Sequence, residues 1–149
     1  MKRMKIDRIT PVFVEFIPDD VEQGRLYISE TYQTVIHKCC CGCGEEVVTP
    51  LSPVDWQLRK GVHGVSLHPS IGNWNYRCQS HYIISNNKVI WAGKFTPQQI
   101  LAVQRKDKNA KQMYIASKNK QQASSAPVSS SLLSKIWMFV KSILGGKDS

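Results

Sequence analysis

Over the first 95 or so residues, apolar and polar positions alternate in short runs, and turn formers cut each run before a helical period can develop. Residues 12–17, 26–29, 34–37 and 47–51 are rich in β-branched and aromatic side chains and predict strands, the first ended by Pro18. Alternation in 55–59 and 62–67 about Lys60-Gly61 predicts a hairpin, and 82–84 with 89–92 about Ser85-Asn86-Asn87-Lys88 predicts a second. Between them, His68-Pro69-Ser70-Ile71-Gly72-Asn73 holds so many turn formers that a loop is expected. The pattern therefore specifies a mainly β domain over residues 1–95.

At Thr96 the pattern changes. Thr96-Pro97-Gln98-Gln99 supplies an N-cap hydroxyl, a proline at the first helical position and a glutamine at the third, which predicts a helix over residues 96–116. Its apolar stripe thins after Val103. Residues 117–131, dominated by Ser, Gln, Lys and Ala, predict a flexible linker. In the last segment, 132–149, Leu133, Ile136, Trp137, Val140, Ile143 and Leu144 recur at helical spacing with Lys135 and Lys141 off the stripe, an amphipathic helix over 132–144. At about 1.5 Å per residue it spans roughly 20 Å, short of a hydrocarbon core of about 30 Å. It suits a membrane surface or a partner helix, giving a location peripheral to the membrane, and not a crossing. The expected fold is a small β-rich domain followed by one or two helices in a C-terminal extension.

Charge refines this picture. The formal charge of +9 invites a nucleic-acid or anionic-membrane partner. Residues 1–95, however, hold 11 Lys/Arg and 9 Asp/Glu, whereas 96–149 hold 9 and 2. The basic excess belongs to the extension, and the nearly balanced β domain lacks the basic face that nucleic acid requires.

The cysteines change it more. Cys39, Cys40, Cys41 and Cys43 crowd into five positions, and Cys78 stands apart. Thiols this close in sequence pair poorly with one another, and residues 1–5 lack the apolar run of a secretory signal. Both point to a reducing cytoplasm and to thiolates that bind metal. Cys39, Cys41 and Cys43 alternate with Cys40 and Gly42, so three thiolates can converge on one side of a kinked segment. Zinc requires a fourth ligand, for which Cys78 is the first candidate, with His37 and His81 in reserve. Buried or redox-active thiols are the competing reading.

Outside the cysteines, candidate chemistry centres on Ser70, Ser80 and His81. A histidine within hydrogen-bond reach can take the proton of a serine and make it a nucleophile. Ser80 and His81 are neighbours that face opposite sides of a strand, whereas Ser70 on its loop can reach across to His81. The Ser70-Ile71-Gly72 amides, freed by a turn, can supply an oxyanion hole. A third member is not evident, although Asp55 and Glu45 are available. Spacing alone favours the plainer reading, in which Ser70 caps a turn and His81 is a core or ligand histidine.

The strings Cys39-Cys40-Cys41-Gly42-Cys43-Gly44, Pro50-Leu51, Trp56, Ser66-Leu67-His68-Pro69-Ser70-Ile71-Gly72-Asn73 and Cys78-Gln79-Ser80-His81-Tyr82 occur in this order. Together they resemble the BubE-like family, small proteins encoded in bacterial ubiquitination-like (Bub) operons beside activating, conjugating and ubiquitin-like components. The likeness covers residues 35–92, with Cys40 where the family pattern favours proline. It implies a deubiquitinase-like serine peptidase that trims a ubiquitin-like protein or removes it from conjugates in antiphage defence. It also implies Ser70 as nucleophile, His81 as base and Ser80 as second choice of nucleophile. The metal at Cys39, Cys41, Cys43 and Cys78 would then be structural zinc. The alternative is a non-enzymatic zinc-binding adaptor of the same pathway. The extension lies outside the likeness.

Overall fold

The structure, a computed structural model, describes residues 3–125, 135 and 137–140. Strands β1 (Thr10–Phe13), β2 (Arg25–Ser29), β3 (Thr34–Lys38) and β4 (Glu46–Pro50) form one sheet in that order. Strands β5 (Gln57–Gly61), β6 (Gly64–Gly72), β7 (His81–Ser85) and β8 (Lys88–Trp91) form a second. Only β1 and β2 run parallel; every other pair is antiparallel. The expected mainly β architecture is thus present as two four-stranded sheets.

The period-2 pattern explains the packing. Along β4, Val47 and Thr49 are buried while Val48 between them is half exposed, as the pleat requires. One core cluster draws on both sheets, with Leu26, Ile28, Val35 and Val47 from the first and Val65, Leu67, Ile71, Tyr82 and Ile84 from the second. Cys39, Cys40 and Cys41 belong to it. The N-terminal segment bonds along β8 before entering β1: the Val89 N–H donates to the Asp7 carbonyl at 2.8 Å and the Ile9 N–H to that of Asn87 at 2.9 Å. Backbone groups that would otherwise line an open edge are thereby paired.

Several boundaries differ from expectation. The first strand occupies Thr10–Phe13, not 12–17, because β1 has a single neighbour. Beyond Phe13 the Val14 N–H still bonds to the Ile28 carbonyl at 2.9 Å, but Phe16 points to solvent. The first hairpin turns at Val62-His63, two residues later than Lys60-Gly61, where Gly64 takes φ of 131°. A two-residue shift preserves which side chains face the core.

The expected loop at residues 68–73 is corrected. β6 continues through Gly72, in register with β5 as far as His68 and with β7 again from Ile71. The turn formers, including the cis His68–Pro69 peptide, make an irregularity within the strand instead of ending it.

Helix α1 (Pro97–Ser125) begins with the reciprocal cap read from the sequence. The Gln99 N–H donates to Thr96 Oγ1 at 3.3 Å and the Thr96 N–H to Gln99 Oε1 at 2.8 Å. It runs past the expected end at residue 116, so the first part of the expected linker is helical. Ala, Lys and Gln there are good helix formers, and Gly and Pro are absent until Pro127. No residue of α1 is buried. Two units divide the chain, Met1–Ala110 and Lys111–Ser149. The amphipathic helix expected over 132–144 falls largely outside the described residues, of which Lys135 and residues 137–140 are helical and exposed. No helix of the described residues is long and apolar enough to cross a membrane.

Candidate active site

The cysteine knuckle caps the β3–β4 hairpin. Lys38 and Glu46 close the ladder, the Cys39 N–H donates to the Glu45 carbonyl at 2.8 Å, and the Gly42 N–H to that of Cys39 at 3.0 Å. Gly42 takes φ of 81°, and a Cβ there would lie 2.9 Å from the Met4 carbonyl oxygen, so both conformation and space require glycine. The reversal turns Cys39, Cys41 and Cys43 towards Cys78, which arrives on the segment before β7. All four sulfur atoms lie within 4.8 Å of one another. Cys39 Sγ is 3.4 Å from that of Cys41 and 3.9 Å from that of Cys78.

These distances fit a bound metal ion. Four sulfurs at ~2.3 Å from a tetrahedral centre sit about 3.8 Å apart. Burial, together with hydrogen bonds to Cys39 and Cys43, pushes the Cys41 thiol up, and burial raises that of Cys43. Burial opposes ionisation of Cys78 as well, but hydrogen bonds from Ser80 and from the Cys41 and Cys43 thiols outweigh it and bring that thiol down. A cation bound among such clustered thiols displaces their protons, so metal binding and thiol ionisation are coupled. Cys40 stands outside the cluster: its thiol neighbours Tyr82 and is pushed up to about 12 by burial.

A buried polar layer lies behind the sulfurs. Ser80 Oγ is 3.0 Å from Cys39 Sγ and 3.5 Å from Cys78 Sγ, and it accepts from Asn73 Nδ2 at 2.9 Å. Asn73 Nδ2 also reaches Cys39 Sγ and the Tyr82 hydroxyl, each at 3.4 Å. The Tyr82 hydroxyl lies 2.8 Å from His37 Nε2. His37 is fully buried, and that burial lowers it to about 3, so the ring is neutral. His37, a reserve ligand in the sequence reading, is therefore committed to Tyr82 and lies outside the sulfur cluster.

His81 follows Ser80 and faces the other way, as strand alternation dictates. It stands opposite Gly72 in the register, and Ser70 lies two residues before Gly72 on the irregular part of β6. His81 Nε2 is 2.9 Å from Ser70 Oγ, and Nδ1 is 3.0 Å from the Gly93 carbonyl oxygen. A carbonyl only accepts, so Nδ1 carries the proton and Nε2 is free to accept from the serine hydroxyl. Ser70 and His81 are thus brought together, while Ser80 is directed to the sulfurs. The three amides proposed for an oxyanion hole are not those of a free turn, since Ile71 and Gly72 are laddered opposite Tyr82 and His81.

Three neighbours of His81 were missed in the sequence. Trp74 and Phe95 pack on the ring with centroids 5.0 and 4.6 Å away and stack on each other at 15°. The Trp74 indole fills the space that a side chain at Gly72 would take. Gly93 supplies the histidine's second partner in place of the carboxylates considered, and Asp55 instead accepts from the Ser52 hydroxyl at 2.7 Å. A backbone acceptor carries no residue signature, and Phe95 lies beyond the last predicted strand. The nearest clue was the aromatic density of Trp74-Asn75-Tyr76.

Residues 13–92 match the sequence model of a family of serine proteases of a bacterial ubiquitination-like system, over more than half of the chain. The chain belongs to this family, BubE. The matched segment starts earlier than the likeness read from motifs, takes in β2 and β3, holds all five cysteines, Ser70 and His81, and ends before α1. No curated protein and no solved structure matches the chain.

Proposed function

We propose that the β domain is a zinc-stabilised serine peptidase that hydrolyses the bond after the C-terminus of a ubiquitin-like protein, releasing it from a fusion or conjugate in antiphage defence. The 2.9 Å approach of Ser70 Oγ to His81 Nε2 carries this reading, with the family supplying the reaction class. Ser70 Oγ attacks the carbonyl carbon as His81 Nε2 takes its proton. The imidazolium then gives that proton to the leaving amine, which departs and leaves an acyl-serine. A water, deprotonated by His81, hydrolyses the ester and restores Ser70. The Gly93 carbonyl holds the ring in the required tautomer throughout, and Trp74 and Phe95 restrict water at its face.

Cys39, Cys41, Cys43 and Cys78 would hold zinc, and four thiolates close its coordination sphere, which makes the role structural. Bound sulfurs can only accept, so the Ser80 hydroxyl and the Asn73 amide become donors to them. Ser80 is thereby occupied, which supports Ser70 over Ser80 as nucleophile. We assign the activity to residues 1–95 and a separate, docking role to 132–149. The test is hydrolysis of a ubiquitin-like fusion by purified protein. Release of the fused partner by wild type and not by Ser70→Ala is expected; cleavage that survives Ser70→Ala but not Ser80→Ala moves the nucleophile. A folded wild-type protein that binds the ubiquitin-like protein without cleaving it is an adaptor.

A further inference from the structure

The aromatic pair beside His81 also walls a concavity of about 150 Å³ lined by Trp74, Arg77, Cys78, Gln79, Lys94 and Phe95. Trp74 and Phe95 supply a flat apolar face, and Arg77 and Lys94 bring two exposed cations to it. Neither cation is ion-paired among the described residues, where the salt bridges are Arg25–Glu22 and Lys60–Glu30. No acidic side chain lines the space. A guanidinium fork matches a carboxylate through two parallel N–H···O bonds, and an apolar wall strengthens that pairing by excluding water. Because Trp74 and Phe95 touch both this concavity and His81, a group seated here lies one side chain away from the Ser70–His81 pair.

We propose that this concavity is a substrate subsite that seats a carboxylate of the chain being cleaved, with Arg77 and Lys94 as its cationic partners and the Trp74–Phe95 face as its apolar wall. This deepens, and rests on, the reading of Ser70 and His81 as the reacting pair. The carboxylate has two possible sources, an acidic side chain a few residues from the scissile bond or a free C-terminus of the substrate. A different use of the two cations, balancing the charge of the neighbouring thiolates, predicts an effect on metal and none on peptides.

The experiment uses the zinc-loaded full chain carrying Ser70→Ala, so that binding is read without turnover. Three Gly/Ser-rich decapeptides bearing a neutral fluorophore are titrated by fluorescence anisotropy: one with an internal Glu and an amidated end, one with Gln in its place, and the Gln peptide with a free carboxylate. At least one carboxylate peptide is expected to bind about tenfold or more tightly than the amidated Gln peptide, and which one does so names the source. That preference should disappear in Arg77→Ala/Lys94→Ala and shrink as salt rises from roughly 0.05 to 0.5 M. Equal affinity for the three peptides, including no binding by any, overturns the proposal, as does a preference that survives the double substitution. Loss of zinc to a chelator from the double variant, with the peptide preference intact, assigns the cations to the thiolates. Since turnover is not read, failure here leaves the hydrolysis test standing, and an inactive wild type leaves this test standing.

Discussion

At the scale of single residues, two serines ten positions apart have been given different surroundings. Ser70 faces a histidine whose other nitrogen is held, and Ser80 faces sulfur. Groups that act as one unit are not additive, so Ser70→Ala, His81→Ala and the double variant should be about equally inactive in a cleavage assay, with metal content unchanged. If the four cysteines hold the proposed zinc, Ser80→Ala and Asn73→Ala act on the metal instead. Loss of a donor to a bound sulfur commonly costs about 10–100-fold in metal affinity, measurable by competition with a chelating dye. If both variants keep wild-type zinc affinity, the hydrogen bonds to Cys39 are incidental.

At the scale of elements, the irregular stretch of β6 and the β3–β4 turn decide where side chains meet. A straight β6 would ladder continuously from Leu67 to Gly72; the register shift between Leu67 and Ile71 re-aims the strand just where Ser70 sits. Gly72, opposite His81, leaves room for the Trp74 indole. Gly72→Ala would evict that ring, and the expected result is a lower kcat in a protein that still folds and still holds its metal. Gly42→Ala acts on the other element. Its positive φ and the Met4 backbone combine to cost on the order of 1–3 kcal/mol, read as a lower midpoint in denaturant. An unchanged midpoint would mean that the knuckle is looser than its hydrogen bonds imply.

At the scale of the whole molecule, one core serves two short-stranded sheets, and the sulfur cluster is built into it. If the cluster holds the proposed zinc, metal binding and folding are coupled, so a strong chelator should abolish the cooperative unfolding transition, and Cys41→Ser with Cys43→Ser should do the same without chelator. Buried His37 adds a pH term. Its folded value near 3 lies below the usual ~6.5 for histidine, so between those limits the unfolded chain takes up a proton that the folded chain refuses. The resulting stability is complete above about pH 6.5 and declines as pH falls towards 3. The His37 ring resonances should therefore remain those of neutral imidazole at about pH 5 in the folded protein. An imidazolium signal there would contradict the burial described.

Local information fixed the elements whose signal is local. β-branched enrichment and alternation placed all eight strands, with the ends of β1 and β6 furthest from expectation, the Thr96–Gln99 cap placed the start of α1, and the crowded cysteines named the sulfur cluster. The Ser70–His81 pairing was legible only as a possibility that spacing disfavoured, until family motifs raised it. Tertiary structure decided the rest. Residues 68–72 stay in strand because β5 pairs up to His68 and β7 pairs again from Ile71, which outweighs the turn propensity of Pro69 and Gly72. Trp74, Phe95 and the Gly93 carbonyl surround His81 because chain segments remote in sequence converge there, and no periodicity encodes that convergence. That Ser70 and not Ser80 lies against His81 likewise depends on the opposite directions in which Ser80 and His81 face as the chain enters β7, a property that a sequence states only once the strand register is known.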